Sequence, residues 1–435
     1  MSARAFIFLA MVVVVSKTQA GAVLRGVVLS NELGGPPMGN IEVSALVGNT
    51  NNTDANGKFT FSFPNKKPGD TVRLIVRKEG YVVVNDIQLE LTLPADPEER
   101  PAIILLCKEG DREEMGRRFY KLKSVQAIDE TYKKKLEDAQ NASAAELAKL
   151  RQERDQTKAI DETYKKKLQD AQNASAAELA KLSQERDQAK GATDTVVEGL
   201  AKQKPGVGSE LYRTTTRLFL DGKVDRALVA LSDEKLRELS KAPKEKKVEA
   251  EKTTKEAIQA WLLKGQLLTV QFRFNDAEKA YQGAIETSPE SFGANFAFAW
   301  FSQQLNHYDK AMSAYRRCLE LARRNQDNGE IAMTVNNLAM LDGAQNRPEA
   351  ARKGFEEALK IYRDLAKNNP DTYLPDVART LNNLAVLDGD QNRLEEARKG
   401  LEEALDIYER FGERNPERFQ SDVARVKRHL QTLSK

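Results

Sequence analysis

A near-exact internal duplication constrains this chain more than any other feature of its sequence. Residues 127–158 read AIDETYKKKLEDAQNASAAELAKLRQERDQTK, and residues 159–190 repeat them with three changes. The changes are Glu137 to Gln169, Arg151 to Ser183 and Thr157 to Ala189. Neither glycine nor proline occurs from Arg117 to Lys190, where strong helix formers dominate. A compact fold tolerates so long an insertion poorly, whereas a helix simply lengthens, so residues 112–190 are predicted to form a helical rod.

The apolar residues of each copy recur at helical spacing. In the first copy they are Ile128, Tyr132, Leu136, Ala139, Leu147 and Leu150. A 32-residue period over nine turns gives about 3.56 residues per turn, between a straight helix and a heptad repeat. The duplication then adds about 48 Å of helix, which we interpret as a spacer. The stripe is thin, because Ser143 and Arg154 occupy seam positions. A single helix, an intramolecular hairpin and a dimeric coiled coil are all compatible with it.

The first twenty residues, MSARAFIFLAMVVVVSKTQA, have the layout of a signal peptide. Arg4 precedes an apolar run from Ala5 to Val15, and Thr18 and Ala20 are small residues suited to cleavage. The run is shorter than the roughly 20 residues that span a bilayer, and a retained anchor is the alternative interpretation. We expect residues 1–20 to be removed and the protein to be exported to a bacterial periplasm, cell surface or medium.

Residues 21–108 have the pattern of a small all-β domain. Seven short β-branched runs alternate with turn sequences such as GGPP, which predicts a β-sandwich. In KFTFSF, Phe59, Phe61 and Phe63 alternate with polar residues, which places three rings on one sheet face. The segments LRGVVLSNELGGPPMGNIEVSAL, TDANGKFTFSF and KEGY, in that order, resemble the carboxypeptidase regulatory-like domain, a transthyretin-like sandwich. That resemblance implies an accessory role and no catalytic one.

Glycine and proline return in GATDTVVEGLAKQKPGVGSE, and residues 191–208 are predicted to be a hinge. A second kind of repeat follows. AWLLKGQLLTVQFRFNDAEKAYQGAIETSP contains Ala277 and Tyr281, and a shift of 34 residues brings them onto Ala311 and Tyr315. Small residues at such positions let paired helices approach closely, while the aromatic ring fills the gap to the next pair.

A further pair of units has a period of 46 residues. NNLAMLDGAQNRPEAARKGFEEALKIY begins at Asn336 and NNLAVLDGDQNRLEEARKGLEEALDIY begins at Asn382. The final SDVARVKRHLQTLSK matches PDVARTLNNLAVLDG but stops after one helix, as a solenoid cap does. Residues 209–435 therefore resemble a tetratricopeptide repeat (TPR) domain of about five units plus a cap. The last two units are similar to the kinesin-light-chain-like subclass, and a degenerate first unit starts at Leu211. Lys264 departs from the motif, which usually has Leu there.

The TPR resemblance also nominates a binding site. In TPR proteins the first helix of each unit lines a concave groove that binds an extended peptide or a helix. The motif positions that face such a groove correspond here to Asn336, Asn382, Met340, Arg379, Trp300 and Gln266. Asparagine amides both donate and accept hydrogen bonds, so they can hold a peptide backbone. In the alternative interpretation Trp300 packs between units, and the neighbouring Asn337 and Asn383 are structural.

Catalytic chemistry is not expected from this sequence. Its two histidines, His307 and His429, lack the neighbouring residues of a triad or a metal site, and no phosphate-binding loop occurs. With 68 basic and 65 acidic residues, the net charge does not favour nucleic acid. No cofactor, metal or membrane span of the mature chain is expected.

We therefore expect a multidomain protein with a small all-β sandwich, a long α-helical rod or coiled coil, and an all-α TPR solenoid. The expected function is that of an exported, non-catalytic adaptor that binds a protein partner. The alternative is a structural envelope protein that assembles as a homodimer through a coiled-coil rod.

Overall fold

The computed structural model describes residues 22–45, 50–98, 101–156, 161–202, 209–241 and 247–433. The predicted signal peptide, residues 1–20, lies outside the described residues. The chain divides into two compact units, Met1–Ala227 and Leu228–Lys435. None of the described helices combines the length and the apolar character that crossing a bilayer requires.

Two four-stranded sheets form the described β-region of the first unit. The strands are β1 (Ala22–Ser30), β2 (Glu42–Ala45), β3 (Thr50–Asn52), β4 (Lys58–Phe63), β5 (Thr71–Arg77), β6 (Tyr81–Val83), β7 (Glu90–Thr92) and β8 (Ala102–Lys108). The strand orders are β4-β1-β8-β6 and β3-β2-β5-β7. Strand β1 pairs antiparallel with β4 and parallel with β8, with Gly26 opposite both Phe59 and Ala102.

The core of this region follows from the alternation of apolar and polar residues. Phe59, Phe61 and Phe63 on β4 are buried, while the residues between them are exposed, which confirms their predicted placement on one face. Strand β3 was not predicted, because its three residues, Thr-Asn-Asn, are all exposed and carry no apolar signal. The predicted run IQLELTL is also interrupted, since a short 3-10 helix spans Asp86–Leu89 ahead of β7.

The duplicated segment forms two helices, α1 (Arg112–Gln156) and α2 (Asp161–Ala192), which contact each other. They run antiparallel, because the Lys190 ammonium lies 2.6 Å from the Asp129 carboxylate and Tyr132 lies near Glu185. The predicted helical state is therefore present, and of the three open arrangements the chain adopts the hairpin. One copy of the repeat lies mainly in each arm.

The spacer interpretation is wrong for this arrangement. A guanidinium N–H of Arg112, at the start of α1, donates to the carbonyl of Ala201 at 3.3 Å. Residue 201 belongs to α3 (Asp194–Lys202), which packs on α1. The chain thus leaves and returns at the same place, because an antiparallel pair cancels the length that each copy adds.

The hinge predicted for residues 191–208 is also wrong over its first two thirds. Helix α2 continues to Ala192, and α3 occupies the next stretch with Val196, Val197 and Leu200 buried. Arg117 Nε donates to Glu198 Oε1 at 2.6 Å and fastens α3 to α1. The apolar pattern of TVVEGLAK outweighs the helix-weakening effect of its glycine. Residues 203–208 lie outside the described range.

The degenerate first TPR unit departs from its predicted role as well. Its first helix, α4 (Glu210–Leu220), packs on α1 and on the 3-10 helix of the first unit. The guanidinium of Arg217 donates to the carbonyl of Glu90, which joins α4 to β7. A short helix, α5 (Val224–Ala230), follows and spans the boundary between the two units. The compact C-terminal unit begins at Leu228, so the predicted solenoid boundary at residue 209 is too early.

The second unit is all helical in its described residues. Its helices are α6 (Asp233–Lys241), α7 (Lys247–Val270), α8 (Phe274–Thr287), α9 (Phe292–Gln304), α10 (Tyr308–Asn325), α11 (Asn328–Ala344), α12 (Pro348–Ala366), α13 (Pro370–Asp390), α14 (Leu394–Arg414) and α15 (Pro416–Thr432). Helices α7 to α14 form four successive pairs, and α15 packs on α14.

The repeat positions agree with this pairing. The small residues of the motif are fully inaccessible to solvent; they are Ala277, Ala284, Ala311, Cys318, Ala351, Ala358, Ala397 and Ala404. The turn inside each pair has one residue in the left-handed conformation, namely Phe272, Asn306, Asn346 or Asn392, with φ from 57° to 59°. Glycine and asparagine adopt this conformation most readily. The four pairs are therefore in phase along the stack.

Helix α6 covers the start of the stack, and it explains the unusual Lys264. The Lys264 ammonium donates to the carbonyl of Leu231 at 2.6 Å and pairs with the Asp233 carboxylate. On the same helix, Ser240 Oγ accepts from Trp261 Nε1 at 3.3 Å. Lys264 thus replaces an apolar contact of the motif by an ion pair that fastens α6 to α7.

A buried ion pair joins two successive pairs of helices. The Asp388 carboxylate, 5% exposed, pairs with Arg352 from α12, and Arg393 Nε lies 3.4 Å from it. The corresponding carboxylate of the preceding unit, Asp342, is 20% exposed and lies 2.7 Å from the guanidinium of Arg347. The later carboxylate thus links units, whereas the earlier one closes only its own turn.

Candidate functional site

A cavity of about 660 Å³ lies on the side of the solenoid that the first helices of the units share. Its walls come from α9, α11, α13 and α15, with Phe355 from α12 at its floor. Five of the six predicted site residues line it: Trp300, Asn336, Met340, Arg379 and Asn382. The sixth, Gln266, lies on α7 and outside this cavity.

Apolar side chains provide the accessible surface of the cavity. Trp300 is 38% exposed and Val386 is 40% exposed, which is unusual for large apolar residues in this chain. Met340 lies between them in the lining and is partly buried. A concave surface with exposed apolar groups and a few polar ones is the usual form of a binding site.

The two asparagines expected to grip a ligand are themselves buried. Asn336 is 1% exposed and Asn382 is 4% exposed. Asn336 Oδ1 accepts from Asn383 Nδ2 at 3.4 Å, and its Nδ2 donates to Asn337 Oδ1 at 3.4 Å. These amides connect α11 to α13 across the cavity floor. Contact between these asparagines and a ligand stays a prediction. For such contact the amides must exchange their present hydrogen bonds for hydrogen bonds with the ligand.

The cap helix contributes to the same floor through His429. Its Nδ1 lies 2.9 Å from Asn382 Oδ1, and because an amide oxygen only accepts, Nδ1 carries the proton. Burial, and then the charges of Arg425 and Arg428, lower the pKa of His429 below its usual 6.5. The imidazole is therefore neutral at pH 7, and its hydrogen bond ties α15 to α13.

Two arginines bring positive charge to the cavity wall. Arg379 Nη2 donates to Asp376 Oδ1 at 2.7 Å, yet its side chain remains 44% exposed. Arg425 pairs with Asp422 and is 38% exposed. Both arginines line the cavity and are partly exposed, and Asp390 is the acidic residue in the lining.

Among the lining residues that the sequence analysis missed or set aside are four polar ones: Asn337, Asn383, Arg425 and His429. The 46-residue period contains the signal for two of them, because it relates Arg379 to Arg425 and Asn383 to His429. In the described residues, no group of three or more His, Cys, Asp or Glu side chains is placed to hold a metal ion.

Comparison with protein families supports the repeat assignment. Two tetratricopeptide repeat models match this chain, one over residues 331–371 and 377–410 and the other over residues 292–325. These segments comprise α9 to α14, the helices that build most of the cavity. None of the curated proteins matches the chain.

The solved structures that match this chain cover about half of it. The chain is similar to BtubC (BKLC) from P. vanneervenii, with a TM-score of 0.40, 20% identity, and coverage of 52% of this chain and 83% of that one. It is similar to MamA residues 41 to the end from Desulfovibrio magneticus RS-1, with a TM-score of 0.32, 14% identity and coverage of 46% and 93%. A putative kinesin light chain from Podospora anserina with nearly identical TPR-like repeats gives a TM-score of 0.36, 12% identity and coverage of 45% and 92%. From its own fold and the family models, the chain has a sheet-rich N-terminal region and, after it, a helical solenoid that carries tetratricopeptide repeats.

Proposed function

We propose that this chain is a non-catalytic adaptor whose solenoid binds a peptide or helix of a protein partner in the concave cavity. The observation that carries the proposal is the exposure of Trp300 and Val386, 38% and 40%, inside a cavity of about 660 Å³. Single exposed apolar side chains are common, but several of them gathered in one concave surface mark a site that another molecule covers. Tetratricopeptide repeats are typical of non-catalytic interaction proteins, which supports the same function.

The lining suits a peptide better than a small metabolite. Trp300, Met340 and Val386 offer apolar contacts on the first helices of three successive pairs, α9, α11 and α13. A ligand must therefore extend along the stack to touch all three. The guanidiniums of Arg379 and Arg425 offer donors, and the amides of the floor can exchange partners with a peptide backbone.

Site-specific photo-cross-linking in the native host tests this proposal. A photoreactive amino acid at Val386 reports the cavity, and the same amino acid at Leu394 is the matched control. Leu394 is 43% exposed but lies on α14, outside the cavity. We expect a discrete protein adduct from position 386 that is absent from position 394. Equal adducts from both positions, or none from 386, would contradict the proposal.

We also propose that residues 1–20 are removed on export, and that the sheet-rich region docks to a second protein or to a surface glycan. The support is the signal-like sequence and the resemblance to carboxypeptidase regulatory-like accessory domains. Intact-mass analysis of the protein from fractionated cells should find Gly21 as the first residue, in the periplasm or outside the cell. A chain that begins at Met1 in the cytosolic fraction would exclude export.

A further inference from the structure

The α1–α2 hairpin has contacts that do not depend on both helices belonging to one chain. Three ion pairs in the described part of the hairpin join a residue of α1 to a residue of α2 or α3: Asp129 to Lys190, Lys121 to Asp194, and Arg117 to Glu198. Its buried base likewise combines Ile128 and Tyr132 of α1 with Ala189, Val196, Val197 and Leu200. The same surfaces fit together whether the second helix comes from the same chain or from another copy.

The sequence between the two helices does not favour a reversal of the chain. Many helices are followed directly by glycine, asparagine or proline, which favour a reversal of the chain. The sequence DQTKAIDE, from Asp155 to Glu162, contains none of these residues and lies within a longer stretch free of glycine and proline. Alanine, lysine and glutamine there are strong helix formers, so this linker sequence is compatible with one uninterrupted helix.

The distal part of the hairpin is held together weakly. In the ranges 133–152 and 169–188, every side chain whose burial is described is at least partly exposed. The fully buried residues lie at the base, close to the sheet-rich region. Opening the hairpin therefore exposes little apolar surface outside its base, and a partner chain restores the base contacts.

From these observations we propose that two copies of this chain exchange all residues from α2 onward and form a dimer. Helix α4 crosses over with α3, because it begins only a few residues after α3 and packs on α1 and on the sheet-rich region. In the dimer, α1 and α2 of each chain join into one helix over residues 112–192, about 120 Å long at 1.5 Å per residue. The two helices run antiparallel, and each end repeats the base now seen within one chain. Exchange of identical elements is a low-cost route to a dimer, because it requires no new interface.

This proposal does not depend on the groove function, and it accounts for the retained duplication. In the exchanged form each additional copy of the repeat lengthens the antiparallel rod and moves the sheet-rich regions of the two chains further apart. In the closed hairpin the same copy lengthens only a projecting arm.

Cross-linking of the full-length chain tests the exchange. The double variant Asp129→Cys with Lys190→Cys replaces the pair that is 2.6 Å apart, and a short bismaleimide reagent then links the two thiols. The native Cys107 and Cys318 are buried and do not compete. In the exchanged dimer the link joins two chains, and a denaturing gel shows a band at twice the monomer mass. In the closed hairpin the link lies within one chain.

The single variants Asp129→Cys and Lys190→Cys are the matched controls. In the exchanged dimer the two copies of either position lie near opposite ends of the rod, so neither single variant should give the doubled band. A glycine pair, Lys158→Gly with Ala159→Gly, weakens helix continuity in the linker and should reduce the doubled band severalfold. The proposal would be overturned if the link formed only within single chains at every protein concentration. That outcome counts whether light scattering shows the protein to be a monomer or a dimer.

Discussion

Replacing glycine by alanine should have opposite effects on stability at two equivalent repeat positions. Gly354 on α12 and Gly400 on α14 are 46 residues apart in the segments ARKGFEEAL and ARKGLEEAL. A Cβ built on Gly354 would lie 2.8 Å from the Cβ of Ala339 on α11. At Gly400 the nearest atom, the Cβ of Ala385 on α13, would be 3.4 Å away.

The expected magnitudes follow from these two distances. Replacing glycine by alanine inside a helix gains about 1 kcal/mol from backbone preference. At Gly354 the overlap forces α11 and α12 apart, and overpacking of a core costs about 1–3 kcal/mol. Gly354→Ala should therefore lower the free energy of unfolding by about 1 kcal/mol. Gly400→Ala should raise it by up to about 1 kcal/mol, because 3.4 Å is near an ordinary contact.

Urea unfolding followed by tryptophan fluorescence measures this difference in the full-length chain. Both tryptophans of the sequence, Trp261 and Trp300, lie in the second unit, so the signal reports the solenoid alone. We expect the two midpoints to move in opposite directions with unchanged slopes. Equal shifts in one direction would refute the difference in helix separation between the two pairs.

Three further predictions concern titrating and buried groups. The pKa of His429 is lowered in the folded chain, so the unfolded chain binds that proton more readily. The contribution of His429 to the free energy of unfolding should therefore be fully present above pH 6.5 and decrease as the pH drops below 6.5. His429→Asn should remove that part of the pH dependence of the urea midpoints. Asp388→Asn should cost about 2–3 kcal/mol of unfolding free energy because it removes the buried negative charge that Arg352 and Arg393 share. Asp342→Asn should cost less than about 1 kcal/mol in the same assay. Burial raises the pKa of Cys107 to about 11 and that of Cys318 to about 12. A thiol reagent at pH 8 should therefore label neither cysteine in the native chain and both after denaturation. Rapid labelling of the native chain would contradict their burial.

Residue periodicity predicted those parts of the fold in which one pattern has one structural solution. Alternating Phe59, Phe61 and Phe63 can be buried together only on one face of a strand, and they are. The small residues of the TPR motif have one role, close helix contact, and all eight are buried. The turn conformation at Asn346 and Asn392 follows from the same register.

Elements with several solutions of similar energy were not determined by local pattern. The duplicated segment satisfies the helical period equally well as a straight rod and as a hairpin, because helical periodicity does not encode where a helix reverses. Helix α4 has a TPR-like sequence but packs on α1, since its apolar face fits either neighbour. Residues 191–202 became helix because their apolar residues find a surface on α1, which the sequence alone does not reveal.

The candidate site shows the same division. Five of the six residues that the motif nominates line the cavity, because solenoid geometry fixes which helix faces are concave. It did not reveal that Asn336 and Asn382 are buried by partners on neighbouring helices, which depends on side-chain contacts. The positions of Arg425 and His429 could have been predicted from the sequence, since the 46-residue period extends into the cap helix.

The affinity of the cross-linked partner for cavity variants tests the central claim most directly. Once position 386 has identified that partner, calorimetry compares the full-length chain with Trp300→Ala plus Val386→Ala and with the control Leu394→Ala. The side chains are 38%, 40% and 43% exposed, so their truncation should leave the fold intact. Loss of two apolar contacts should weaken binding at least about tenfold, while the control stays within about twofold of the unmodified chain. Equal affinity of all three proteins would show that the partner binds elsewhere.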